Sequence, residues 1–135
     1  MVDMERHSRH ILLPQVGVEG QSRISNSRVL CVGAGGLGSP VIQYLAAAGI
    51  GHLTIVDDDR VDLSNLQRQV IHRTTDVGEF KAISAKRFVS ELDPNISVDS
   101  IVERVCEDNA KSLFENHDII IDGTDNIPTR YLIDD

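Results

Sequence analysis

From residue 29 to residue 56 the chain passes through 28 consecutive positions without an Asp, Glu, Lys or Arg. A stretch of that length and character belongs either in a membrane or at the buried centre of a folded domain. Gly33, Gly35, Gly36, Gly38, Pro40, Gly49 and Gly51 interrupt it, and the spacing of its apolar residues changes period twice. One membrane helix would keep a single period. A strand, a helix and a second strand buried between layers produce the observed pattern. With 135 residues, 41% hydrophobic and 25% charged, the chain has enough apolar material for one soluble domain but not for two. No membrane partner is expected, and the lack of a secretory leader makes the cytoplasm the expected location. A net charge of −8 argues against a nucleic-acid partner, since phosphate backbones are bound by clustered Lys and Arg. Cys31 and Cys106 stand 75 positions apart and fit neither a metal spacing nor a disulfide framework. Both lie in apolar, strand-like stretches, so both are expected to be buried, reduced thiols.

The pattern on either side of this core alternates. Residues 28–32 form a short apolar run ending in glycines, a buried strand. A small-residue helix over 36–48 follows, stopped by Gly49, and then a second strand over 53–56. Residues 79–92 repeat apolar side chains at Ala85, Phe88, Val89 and Leu92, the i, i+3, i+4, i+7 spacing of a helix. Asp93-Pro94-Asn95 ends it. A less regular third strand is expected over 96–105, and a short helix over 108–115 with Ala110, Leu113 and Phe114 on one face. A fourth buried strand occupies 119–121, and a last helix carries Pro128 in its first turn, where proline is tolerated. Ahead of these elements, residues 4–13 read as a helix bearing Arg6, His7, Arg9 and His10, with a break marked by Pro14 and Gly17. Strands alternating with helices imply an α/β, doubly wound, mainly parallel sheet with right-handed crossovers. The pattern stops inside a helix, as a domain cut short on its C-terminal side would.

Gly33-Ala34-Gly35-Gly36-Leu37-Gly38 is G-x-G-x-x-G between a strand and a helix. Glycines there let backbone N–H groups approach a phosphate, and the helix N-terminus adds positive partial charge. Asp57 closes the second strand 19 residues after Gly38, where a carboxylate can accept hydrogen bonds from ribose hydroxyls. A ligand-free tight turn is the plain alternative; the strand, the helix and the correctly spaced acid favour an adenine nucleotide. The organisation is then an N-terminal helical segment, 1–27, followed by a Rossmann-like nucleotide-binding domain, 28–135. Within Asp57-Asp58-Asp59, Asp58 reads as a solvated loop residue.

A dinucleotide and ATP remain open at this point. The next segment, Ser64-Asn65-Leu66-Gln67-Arg68-Gln69, followed by Lys81, leans toward a chain of phosphates. A guanidinium offers bidentate contacts and a lysine a mobile point charge, although each residue taken singly would pass as surface. Asp122-Gly123-Thr124-Asp125-Asn126 follows the fourth strand. Ligands of doubly wound sheets lie beyond the carboxyl ends of the strands, so Asp125 is placed to hold magnesium together with substrate phosphates. Asp122 reads equally as a turn residue.

Together these stretches resemble the ThiF/MoeB/HesA family, the bacterial and archaeal relatives of ubiquitin-activating enzymes. The matching residues are Arg6-His7-Ser8-Arg9-His10-Ile11-Leu12-Leu13-Pro14, the glycine loop, Val56-Asp57-Asp58-Asp59, Ser64 through Gln69, Val77-Gly78 with Lys81, and Asp122 through Arg130. The resemblance implies ATP-dependent adenylation of the C-terminal carboxylate of a ubiquitin-like or sulfur-carrier protein, with release of pyrophosphate. It places Gly33, Gly35, Gly36 and Gly38 at the phosphates and Asp57 on the ribose. It adds Ser64, Asn65, Leu66, Gln67, Arg68 and Lys81 as nucleotide contacts, and Asp125 as the magnesium ligand beside Asn126. Arg9, Arg68, Lys81 and Asp125 are the implied catalytic residues, with Arg9 reaching the partner's ATP across a homodimer. A four-cysteine zinc site and an acceptor cysteine are expected only in chain beyond residue 135; Cys31 and Cys106 fill neither role. His7, His10 and Phe80 depart from the residues common in the family, but no charged ligand is lost. The rival readings are an NAD-dependent oxidoreductase, which leaves Asn65, Arg68, Lys81 and Arg9 unexplained, and a non-catalytic nucleotide-binding subunit or fragment.

Overall fold

The computed structural model describes residues 17–36, 38–67, 69 and 71–123. The expected helix over 4–13 and the one containing Pro128 lie outside these residues. Four strands, β1 (Arg28–Val32), β2 (His52–Val56), β3 (Ser97–Ile101) and β4 (Ile119–Asp122), form one sheet in the order β3-β2-β1-β4, and every pairing is parallel. Helix α1 (Gly17–Ser25) precedes the sheet. The crossovers are α2 (Gly38–Ala48), α3 (Lys81–Leu92) and α4 (Glu107–Phe114).

The charge-free stretch is the centre of this sheet. Val29, Leu30, Cys31, Leu53 and Ile55 are wholly buried, as are Ile42 and Ala46 of α2. Alternation along the central strands splits their side chains between two faces. Val29, Cys31, Leu53 and Ile55 pack with Ile42, Ala46, Ala82, Ala85 and Val89, so α2 and α3 cover one face. Leu30, Val32 and Val56 pack with Val105 and Leu113, which places α4 on the other. Helices on both faces of a parallel sheet make the domain doubly wound, and the chain reverses direction across the sheet between β1 and β4. Among the described residues no helix is long and apolar enough to cross a membrane.

Several element limits differ from the sequence reading. The third strand stops at Ile101 rather than 105, because its partner β2 ends at Val56, paired with Ile101. One further bond, from Asp57 N–H to the Ile101 carbonyl at 3.1 Å, closes the ladder. Helix α3 starts at Lys81 rather than 79: Phe80 is extended and forms an isolated antiparallel bridge with Arg60, and its ring lies under the Arg60 guanidinium. Helix α1 falls within the expected N-terminal helical segment but was not expected as a separate element, since GVEGQSRIS combines two glycines with few apolar residues. Tertiary contacts hold it: Gln21 Nε2 donates to the Ala48 carbonyl at 2.8 Å, and Ile24 packs on the main core. Cys106 also corrects the expectation. It is exposed because it caps α4 beyond the end of β3 instead of sitting in a strand. Cys31 is buried, and burial, helped by Asp57 and Asp122, pushes its thiol up to about 12.

Candidate nucleotide site

Parallel strands deliver all their carboxyl ends to one edge. Here the register is level: Val32 pairs with Val56 on one side and with Asp122 on the other. The glycine loop, Asp57 and Gly123 therefore leave the sheet side by side. The loop turns directly into α2, and Gly38 is what allows it. A Cβ on Gly38 would lie 2.0 Å from the Gly33 carbonyl oxygen, and one on Gly123 would lie 2.8 Å from Gly38 Cα. Strand, loop and helix touch backbone to backbone.

Asp57 binds the loop to the second strand. Its Oδ2 accepts from the Ala34 N–H at 2.8 Å and its Oδ1 from the Asp59 N–H at 2.7 Å. Burial raises its pKa, while those two N–H donors and the Lys81 charge oppose the rise. A carboxylate has about four acceptor positions, so two remain for a ligand's hydroxyls. Asp58 is exposed, as expected.

Lys81 opens α3. Its N–H donates to the Asp59 carbonyl at 2.9 Å, and its side chain is nearly buried, with Nζ 3.9 Å from Asp59 Oδ2. A cation in the first turn of a helix opposes the helix dipole. Buried lysines are uncommon unless paired, and the Asp59 carboxylate is long-range and largely exposed. A Cβ on Gly35 would meet Lys81 Nζ at 3.6 Å and Gln69 Nε2 at 3.4 Å, so the ammonium and a carboxamide stand directly over the glycine loop. Gln69 is 3% exposed, and its Oε1 is a buried acceptor with no hydrogen-bond partner. The loop is therefore faced by a buried ammonium and by Gln69 Nε2, donors that suit phosphate oxygens, while Gln69 Oε1 is left as an unused acceptor.

Residues of the intervening segment divide. Asp62 caps the 3-10 turn Leu63–Asn65, accepting from Ser64 N–H at 3.0 Å and from the Ser64 hydroxyl at 3.1 Å. Those bonds hold its carboxyl below the ordinary range. Ser64 thus has its hydroxyl engaged in the cap. Asn65 Oδ1 accepts from Asp62 N–H at 3.2 Å, which leaves the amide nitrogen outside the cap. Leu66 is half-buried and Gln67 exposed. Arg9, Arg68, Asp125 and Asn126 lie outside the described residues.

The ThiF family model matches residues 7–135. The chain belongs to the ThiF family. Among curated relatives, the SAMP-activating enzyme E1 of Haloferax volcanii is 53% identical over 98% of this chain and 49% of its own. The probable adenylyltransferase/sulfurtransferase MoeZ of Mycobacterium tuberculosis is 53% identical over 98% of this chain and 34% of its own. The chain thus spans half or less of the length of these relatives. Among solved structures, the E. coli tRNA N6-threonylcarbamoyladenosine dehydratase TcdA in complex with ATP is similar with a TM-score of 0.88. The identity is 27%, over 96% of this chain and 54% of that one.

For a ThiF-family chain, the sequence reading passed over three residues that shape this edge. Gln69 lay inside a matching segment but received no role. His72 and Ser84, both buried, gave no signal beyond a polar residue in an apolar run. Their bonds join positions 34, 72 and 84, which only the fold brings together.

Proposed function

We propose that this chain is the nucleotide-binding part of an ATP-dependent adenylyltransferase acting on the C-terminal carboxylate of a ubiquitin-like or sulfur-carrier protein. The observation that carries the reading is the buried Lys81 ammonium, which with the unsatisfied Gln69 amide faces the Gly35 backbone beside Asp57. A dinucleotide site needs the glycine loop and the acid; it does not need a buried cation at the head of the next crossover helix. The Haloferax and Mycobacterium relatives, an activating enzyme and a probable adenylyltransferase, support the same reaction, and the TcdA complex supports ATP as the nucleotide.

In the proposed step, a carboxylate oxygen of the carrier attacks the α-phosphorus of ATP. The bond from that phosphorus to the bridging oxygen breaks, pyrophosphate leaves, and a mixed acyl-phosphate anhydride forms. The attacking carboxylate is ionised at neutral pH, so no general base is required. What remains is alignment and neutralisation of charge on the phosphoryl oxygens. Loop N–H groups between Gly33 and Gly38 and the start of α2 hold phosphate oxygens, and Asp57 accepts from the ribose. Asn65, Arg68 and Lys81 bind the phosphate chain. Asp125, two positions after Gly123, with Asn126 beside it, would hold magnesium, which supplies further charge neutralisation when bound. Arg9 acts from the partner of a homodimer. Isotope exchange tests the reading: the full-length protein with its carrier should incorporate labelled pyrophosphate into ATP. Clear NAD binding without exchange would overturn it.

A further inference from the structure

We propose that His72 is a positioning residue: its Nε2–H turns the Ala34–Gly35 peptide so that the Gly35 N–H faces the nucleotide, and Ser84 holds the ring in place through Nδ1. The inference rests on the reading above only for the identity of the ligand.

Ala34 is wholly buried, and both of its backbone polar groups are held. The N–H donates to Asp57 Oδ2 at 2.8 Å. The carbonyl lies 2.8 Å from His72 Nε2 and 3.2 Å from the Ser39 hydroxyl. A carbonyl only accepts, so Nε2 must carry a proton. The other ring nitrogen, Nδ1, lies 2.7 Å from Ser84 Oγ. That hydroxyl has one proton and two acceptors in reach, Nδ1 and, at 3.1 Å, Asp76 Oδ2. His72 is 4% exposed, and its burial, joined by the nearby Lys81 charge, outweighs the Ala34 bond and the Asp76 and Asp57 charges and disfavours the imidazolium. Asp76 is already served by the Arg73 N–H at 2.7 Å and by Arg87 Nη1 at 2.8 Å. With Nε2–H required by the carbonyl and the imidazolium disfavoured, Nδ1 is an acceptor, and the Ser84 hydroxyl shares its one proton between Nδ1 and Asp76 Oδ2.

The consequence reaches the ligand through peptide geometry. The described residues contain no cis peptide bond. In a trans peptide the carbonyl and the following N–H point to opposite sides of the chain. Drawing the Ala34 oxygen into the core sends the Gly35 N–H away from it, and among the described residues that N–H makes no hydrogen bond. Ser84 sits one turn after Lys81 on α3. The helix that supplies the cation therefore also sets, through His72, the backbone dipole that works beside it.

Three variants of the full-length protein test this. His72→Phe keeps the ring and removes the donor. His72→Gln replaces the donor, since its amide nitrogen can stand where Nε2 stands. Ser84→Ala removes the hydrogen-bond partner of Nδ1, which loosens the ring and weakens its hold on the Ala34 carbonyl. Without nucleotide, the Gly35 amide resonance should shift in His72→Phe and Ser84→Ala and return toward wild type in His72→Gln. With ATP, the Kd should rise about tenfold in His72→Phe, the usual scale for a buried partner left unpaired, and recover to within about threefold in His72→Gln. An unmoved Gly35 resonance in His72→Phe, or no rescue by His72→Gln at equal thermal stability, would overturn the proposal. Should His72→Phe fail to fold, Ser84→Ala decides by the same resonance. A wild-type protein that binds no ATP would refute adenylation, while the ligand-free resonance would still judge His72.

Discussion

Gly38 and Gly35 lie three residues apart in one loop, and alanine at each should fail in opposite ways. At Gly38 the added methyl would sit 2.0 Å from the Gly33 carbonyl oxygen and 2.7 Å from its carbon. Real contacts of this kind do not fall below 3.0 Å, so something must move by about 1 Å. No side chain can give way, because the obstacle is backbone. Nor is that backbone free: Gly33 N–H is tied to the Val56 carbonyl at 2.8 Å. Overpacking ordinarily costs about 1–3 kcal/mol. With rotamer relief closed off, Gly38→Ala should lie at the top of that range or above it, which lowers Tm by about 10 °C or more in a domain of this size. At Gly35 the methyl would meet only Gln69 Nε2 at 3.4 Å and Lys81 Nζ at 3.6 Å, ordinary contacts with flexible ends, and no positive φ stands in the way. Gly35→Ala should keep wild-type stability or gain about 0.4–1 kcal/mol through the unfolded chain. Yet it places a methyl where the phosphate must approach the backbone, so ATP binding should weaken at least about tenfold. Thermal unfolding by circular dichroism and calorimetric titration with ATP separate the two effects. A Gly38→Ala protein with wild-type Tm would refute the packing argument. A Gly35→Ala protein with wild-type affinity would remove the loop backbone from the site.

Lys81→Met keeps most of the buried stem and removes a cation that opposes its own helix. Thermal stability should hold or rise slightly while steady-state turnover with ATP falls about 10²–10³-fold, the usual loss for one preorganised donor at developing charge. Turnover near wild type would withdraw its phosphate role. His52 and His72 are buried and held below the ordinary 6.5 chiefly by desolvation. The unfolded chain therefore takes up more protons as pH falls. Their contribution to stability should be complete above about pH 6.5 and lost progressively below it; urea midpoints at pH 7.5, 6.5 and 5.5 would reveal this, and a flat profile would count against neutral histidines. Of the two thiols, Cys106 should label rapidly at pH 8 in the native protein and Cys31 only on unfolding. Equal labelling rates would contradict the buried place of Cys31.

How much of this could be read from sequence depended on whether the cause of a feature was local. The middles of β1, β2 and β4 were legible because each is a short apolar run with no competing period, and the glycine loop because its residues are contiguous. The end of β3 was not, since Val102–Val105 remain strand-like and only the length of β2 takes their partner away. Helix α1 has few apolar residues of its own and is held through Gln21 and Ile24. Within the site, the rank of Asp57 followed from its distance to Gly38. Lys81, by contrast, looked like any helical lysine when taken singly, and only its place after Ser64 through Gln69, and then the family motif, gave it a role. His72 could not have been found at all, because its partners stand 38 and 12 positions away.

The features that sequence logic handles worst cluster in one place, and they share a remedy. Lys81 puts positive charge at the positive end of a helix. Gln69 buries an acceptor with no donor, a cost usually avoided in native cores. Asp57 is desolvated against its ionised form, and Gly35 presents an N–H without a partner. Elsewhere in the described residues, buried polar groups are satisfied: His52 by Ser97 and Thr54, Asp76 by Arg73 and Arg87, and Asp93 by Asn95. Local choices that conflict with stability concentrate where a protein serves a ligand. A phosphate chain would answer the ammonium and the free N–H, and a ribose hydroxyl would answer the carboxylate. Gln69 Oε1 is the exception that sharpens the point: it accepts and cannot bind a phosphate oxygen directly. Its donor must come from a water or a nucleotide hydroxyl, and that makes it the place where the polar edge of the ligand, rather than its charge, would be read.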